Sequence, residues 1–163
     1  MSTTRDSAGR LQVLEDIESI RRLKGLYCHL VDAAVAGDLG KWDEFMAHFV
    51  DDAWIDFEGF GRHEGKEAIG RFYRELVGSA FSYSAHMVAN PLIEVDGLRA
   101  SGSWYVHVPF TLRPKDEAGW LQGKYEEGYV KVEGQWKWKS IRTKFDFITP
   151  YDQGWARTRV LTL

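Results

Sequence analysis

Asp32, His86 and Arg142 stand where their side chains invite chemistry as well as packing. Asp32 falls near the end of a run in which Val13, Ile17, Ile20, Leu23, Tyr27, Leu30, Val31 and Ala34 recur at three- and four-residue steps. That spacing predicts an amphipathic helix, with Asp32 on the border of its apolar stripe. A carboxylate there has to be paired or shifted in pKa, because an unpaired buried charge is costly, and the C-terminal end of a helix dipole disfavours it. His86 lies on a β-type run, where alternation groups it with Ser84, Val88 and Asn90. Histidine suits proton transfer near neutral pH, and it is also a common structural side chain. In the last run Trp136, Trp138, Ser140 and Arg142 alternate with Lys137, Lys139 and Ile141, so Arg142 is expected on the tryptophan face. A guanidinium placed there needs an anionic partner or a substrate oxygen. His107, on one face with Tyr105, is a further candidate for the same cavity.

Other chemistries lack their residues. The sequence has no phosphate-binding loop, no GxGxxG fingerprint, no GxSxG elbow and no recognised metal-ligand spacing, so neither a cofactor nor a metal is expected. Cys28 is the single cysteine, which excludes an intrachain disulfide and a thiolate pair for zinc. With 21 basic and 24 acidic residues the net charge is −3, which gives no footprint for nucleic acid or an anionic membrane. A small neutral ligand fits better. The opening MSTTRDSAGR is polar, and no run of about 18 apolar residues occurs, so a cytoplasmic protein is expected. Aromatic residues make up 14%, including seven Trp, which suits either bulky core and interface packing or an aromatic-lined cavity.

The elements that must position these groups follow from periodicity. One long helix spans Leu11 to about Ala36 and is broken at Gly37-Asp38; a second covers Lys41–Val50 and a third Lys66–Val77, stopped by Gly78. A strand is expected at Ala53–Phe57, with a glycine-rich turn at Gly59–Gly65. Phe81–Val95 and Leu98–Leu112, joined by Asp96-Gly97, form one hairpin; Gly123–Val132 and Gln135–Thr149, joined by Glu133-Gly134, form another. Pro91 marks a bulge or edge. Residues 1–9 are expected as a flexible tail and residues 10–163 as one domain. The expected class is α+β: a cone-shaped, curved antiparallel sheet wrapped around the long N-terminal helix, with two further helices and a pocket between the layers.

The segments DIESIRRLKGLYCHLVDA, GDLGKWDEFMAHFVDDA, HEGKEAIGRF and SAHMVANPLIEVDG, followed by an aromatic-rich hairpin, resemble in order and spacing the SnoaL-like family of the nuclear transport factor 2-like superfamily. Within it the sequence is most similar to the scytalone dehydratase, hexachlorocyclohexane dehydrochlorinase and bile-acid 7α-dehydratase lyases. The resemblance implies a cystatin-like α+β barrel and an Asp–His pair at Asp32 and His86. It places a late-strand arginine at Arg142, a tyrosine at Tyr27 and, with a shift in register, a second histidine at His107. The implied activity is a cofactor-independent lyase reaction on an apolar or aromatic small molecule. His86 acts as base and Asp32 holds its tautomer, while Arg142 with Tyr27 or His107 stabilises developing negative charge. Trp54, Tyr105, His107, Phe110 and Trp138 are the expected substrate contacts. A retro-aldol lyase or polyketide-type cyclase would use the same pair, and a non-catalytic binding or assembly module is the alternative from another class. The resemblance further implies a homo-oligomer, trimer before dimer. Phe145, Phe147, Tyr151 and Trp155 are expected to help, with Pro150–Leu163 sealing a pocket or crossing to a neighbour.

Overall fold

In the computed structural model, which describes residues 3–113 and 115–159 (side chains of 3–6 excepted), helix α1 runs over Thr3–Val35. The expected tail is therefore helical from Thr3 on, because a helix nucleated by the apolar stripe extends cheaply until a breaker stops it, and residues 3–9 contain no proline. Ile20, Leu23, Tyr27, Leu30, Val31 and Ala34 are the buried face of α1. Helix α2 (Lys41–Met46) adds Trp42, Phe45 and Met46 to the same core.

Strands β1 (Phe49–Phe57) and β2 (Gly61–Glu64) form a hairpin, so the expected glycine turn contains a strand of its own. The third helix starts as α3 (Lys66–Arg71), widens into a π-helical turn (Phe72–Val77) and closes as α4 (Gly78–Ala80). Gly78 stays in the right-handed helical region and does not stop it. Strands β3 (Phe81–Ser84) and β4 (Met87–Asp96) divide what reads in sequence as one run. Both pair with β5 (Arg99–Leu112), and the chain leaves the ladder between them at Ala85-His86. A register shift between Ala89 and Leu92 marks the bulge expected at Pro91. Strands β6 (Glu117–Val132) and β7 (Gln135–Pro150) complete a sheet of order β2-β1-β7-β6-β5-β3, with β4 beside β3 on β5. The sheet is curved and unclosed, and it is mixed: β1 lies parallel to β7, while the other pairs are antiparallel. The α+β class and the cone shape are those expected.

Alternation sets the inner face. Trp104, Val106, Val108 and Phe110 of β5 and Tyr125 and Tyr129 of β6 point inward, towards α1 and the hollow beside it. Strand β7 breaks the rule twice. One extra residue lies between Trp138 and Ser140, and another between Phe145 and Phe147. Each bulge faces a glycine of β6. A Cβ on Gly128 would stand 2.6 Å from Ser140 Oγ, and one on Gly123 would collide with the Lys144 carbonyl. Even-numbered residues of β7 therefore face inward up to Trp138, odd-numbered ones from Ile141 to Phe145, and even-numbered ones again at Ile148. Beyond β7 the chain folds back on its own sheet: Phe147 stacks on Trp155 at 5.0 Å, and Ile148 N–H donates to the Arg159 carbonyl. Residues 160–163 of the expected C-terminal segment lie outside the described residues.

Candidate functional site

A cavity of about 80 Å³ lies between α1, the π-helical turn and the concave face of the sheet, with room for a small guest rather than for a single water. Val31, Phe57, Phe72, Phe81, Phe110 and Phe145 supply much of its apolar wall. The polar side chains in the lining are Tyr27, Tyr73, Ser84, His86 and Tyr125. No Lys, Arg, Asp or Glu is among them.

His86 reaches the wall because the chain leaves the sheet between β3 and β4 and turns towards α1. The Asp32 carboxylate there accepts three hydrogen bonds: from Ser84 Oγ at 2.7 Å, from the His86 backbone N–H at 2.8 Å and from His86 Nδ1 at 2.6 Å. A carboxylate can only accept, so Nδ1 donates to Asp32, and in the neutral imidazole Nε2 is then the acceptor. The pair is half-buried, and the Tyr27 ring stands edge-on to the imidazole at 5.5 Å.

The Tyr27 hydroxyl lies 3.2 Å from both Tyr73 and Tyr125 hydroxyls. Beneath these rings Lys24 and Glu127 form an ion pair at 2.5 Å with both side chains fully buried. Glu127 also accepts from Tyr129 and from Trp138 Nε1, and the Lys24 ammonium lies 3.4 Å from the Tyr125 ring centre and 4.0 Å from that of Tyr27. Burial pushes the phenols of Tyr27, Tyr73 and Tyr125 above their ordinary range, so all three stay protonated donors at neutral pH.

Of the nine site residues expected from sequence, Asp32, His86 and Tyr27 come together, and Phe110 lines the cavity. Five do not. Arg142 sits on the convex face, 3.5 Å from Asp56 and beside Trp54, because the bulge after Trp138 reverses the alternation that would have turned it inward. Trp54 lies out there too, between Arg62 and Arg142. Tyr105 and His107 do share a face, and it is the outer one: inward Trp104, Val106 and Val108 alternate with them, Lys124 covers Tyr105, and His107 stacks on Trp120 and bonds Gln122. Trp138 is fully buried behind the cavity, against Tyr27, Phe45 and Phe49. Tyr73, Tyr125 and Ser84 are cavity residues that sequence reasoning missed. The signal for Ser84 is its grouping with His86; Tyr73 shares the helical spacing of Ile69, Phe72, Leu76 and Val77 and reads as one more position of an apolar stripe.

The SnoaL-like domain family matches this chain over residues 12–142. The chain belongs to that family. Among related sequences, an uncharacterized protein of Mycobacterium tuberculosis is 27% identical over 110 residues, 66% of this chain and 74% of the relative. The SnoaL-like chain superposes on hexachlorocyclohexane dehydrochlorinase type 3 from Novosphingobium barchaimii with a TM-score of 0.76 at 20% identity, covering 86% of this chain and 93% of that one. A protein provisionally named scytalone dehydratase from Novosphingobium aromaticivorans gives a TM-score of 0.74 at 25% identity over 85% and 89%. A nuclear transport factor 2-like protein from Salmonella enterica gives 0.66 at 20% identity over 81% and 89%. Structural neighbours of this SnoaL-like fold thus include dehydratase and dehydrochlorinase proteins. No helix among the described residues is long and apolar enough to cross a membrane.

Proposed function

We propose that this SnoaL-like chain is a cofactor-independent lyase in which the Asp32–His86 pair starts an elimination on a small, neutral, largely apolar molecule. One observation carries the reading: a carboxylate bonded to His86 Nδ1 at 2.6 Å, with the same imidazole in the wall of an apolar cavity. His86 Nε2 takes a proton from a substrate carbon, and the C–H electron pair becomes the new double bond as a hydroxyl on the adjacent carbon departs. The imidazolium, stabilised by Asp32, returns its proton to that hydroxyl, so water leaves and the base is restored. The apolar wall favours a ring-bearing guest, and the naming of two structural neighbours as dehydrochlorinase and dehydratase agrees with an elimination.

The test is a mass-spectrometric screen of neutral hydroxylated ring compounds for loss of water, followed by His86→Ala and Asp32→Asn on the compound found. Each variant is expected to lose about 10²–10⁴-fold in turnover while keeping the thermal midpoint of the parent. Undiminished turnover in both would overturn the pair's role. We also infer a homo-oligomer, trimer before dimer, supported by exposed Tyr83, Met87, Leu92 and Tyr105 on β3 to β5. Light scattering at the monomer mass would refute it.

A further inference from the structure

We propose that Phe60, carried on the turn between β1 and β2, is the gate that selects guests by size: it gives way to a single ring and seats over it, whereas a two-ring guest holds it open. This rests on the reading of the cavity as a site for a ring-bearing guest. An apolar cavity of about 150 Å³ holds one benzene, and the space here is about 80 Å³. A ring therefore fits only if part of the wall moves. Most of the wall is held in place. Phe57, Phe72 and Phe110 are buried side chains on strands or on the π-helical turn, each edge-on to another ring. Apart from His86, Phe60 is the one wall residue, among the described residues, that lies on neither a helix nor a strand.

The turn that carries Phe60 is free to swing. Gly59 and Gly61 flank it at φ +81° and +83°, and a Cβ on either would meet nothing within 4 Å, so no neighbour holds them. Glycine reaches other backbone regions without steric cost. On the inside, the Phe60 ring stands edge-on to Phe145 at 6.2 Å and to Phe72 at 6.5 Å. It packs against both apolar clusters of the molecule, the large one around α1 and the small one of Phe110, Leu112 and Ile148. Phe60 thus bridges the π-helical turn and β7 across the space between them. On the outside a latch holds the turn. Strand β1 pairs with β7 only as far as Phe57 and Thr143, so the next N–H on that edge, at Phe145, has no strand to meet. The exposed Glu58 carboxylate accepts it at 2.9 Å, while Glu58 N–H donates to the Thr143 carbonyl. A bond to an exposed carboxylate exchanges with water at small net cost, so the latch can open. Residues 151–159 contribute nothing to the lining, which leaves closure to this turn.

The experiment follows two unreactive probes, fluorobenzene and 1-fluoronaphthalene, by fluorine NMR titration and exchange on the full chain. The parent is expected to bind the single ring about tenfold or more tighter than the double ring. Phe60→Ala should bring the two affinities within about threefold and raise the fluorobenzene dissociation rate about tenfold or more. Glu58→Ala, which keeps the ring and loses the latch, should retain the size preference and raise that rate about threefold. Glu58→Gln, whose amide oxygen can still accept from Phe145, should exchange as the parent does. Should Phe60→Ala fail to fold, Phe60→Leu moves both readings in the same direction. A size preference or a dissociation rate that survives unchanged in the Phe60 variants overturns the gate, and so does a parent that binds both probes equally or binds neither. Because no turnover is read, failure of the Asp32–His86 pair in its own test leaves the gate standing, and failure of the gate leaves the pair untouched.

Discussion

Two of the carboxylate pairs that helix α1 makes, Lys24–Glu127 and Asp32–His86, lie eight residues apart, about 12 Å along its axis, and they differ in what they leave unused. At Lys24–Glu127 the carboxylate accepts from Lys24, Tyr129 and Trp138, and both side chains are sealed from solvent. At Asp32–His86 the carboxylate also accepts three bonds, but its partner is a ring with a second nitrogen, and that ring lines a cavity. Burial alone would single out the first pair as the special one. The accounting of donors and acceptors points to the second, because chemistry needs an atom still free to take a proton at a wall that a guest can reach.

The contrast can be broken most forcefully at Glu127. Glu127→Ala strands a buried ammonium and should cost about 3–5 kcal/mol in urea unfolding, whereas Lys24→Met/Glu127→Leu, which removes both charges, should recover most of it. A loss below about 1 kcal/mol in the single variant would mean that the pair holds nothing together. His86→Ala should show the reverse balance: turnover collapses while stability falls by no more than about 1 kcal/mol, since half-buried Asp32 keeps Ser84 and gains water.

A smaller effect concerns pH. Burial would raise the Asp16 carboxyl, but Lys131 and the Trp136 indole N–H outweigh it and hold Asp16 below its ordinary 3.8. The unfolded chain then binds the proton more readily, so this contribution is present above the ordinary carboxylate range and is lost as pH falls through the folded value. Stability measured at pH 3 and pH 6 should differ less in Asp16→Asn than in the parent. Smallest of all, Arg142→Ala should leave turnover within about twofold and cost at most about 1 kcal/mol, as expected for an exposed pair with Asp56. A hundredfold loss would return Arg142 to the reaction.

The site was partly legible because two of its groups obey simple periods. Asp32 sits where a helical stripe meets its polar border, and His86 shares its alternation with Ser84, whose hydroxyl also reaches Asp32. One miss comes from the fact that a period of two holds only until a residue is inserted. Arg142 was carried past such an insertion, and the clues lay on the neighbouring strand, in Gly123 and Gly128, where a missing Cβ lets β7 crowd in. His107 and Tyr105 were correctly grouped, but alternation cannot say which of two faces is concave. Tyr73 and Tyr125 could not be read as a cluster at all, because 52 positions separate them and only the curvature of the sheet brings both to Tyr27.

The two insertions in β7 behave like a pair of compensating frameshifts. Between them, Ile141, Thr143 and Phe145 are read inward; the same residues paired without either bulge would present Arg142 and Lys144 instead, with Trp138 and Ile148 still facing inward. Two single-residue bulges thus decide whether this stretch of wall is neutral or cationic.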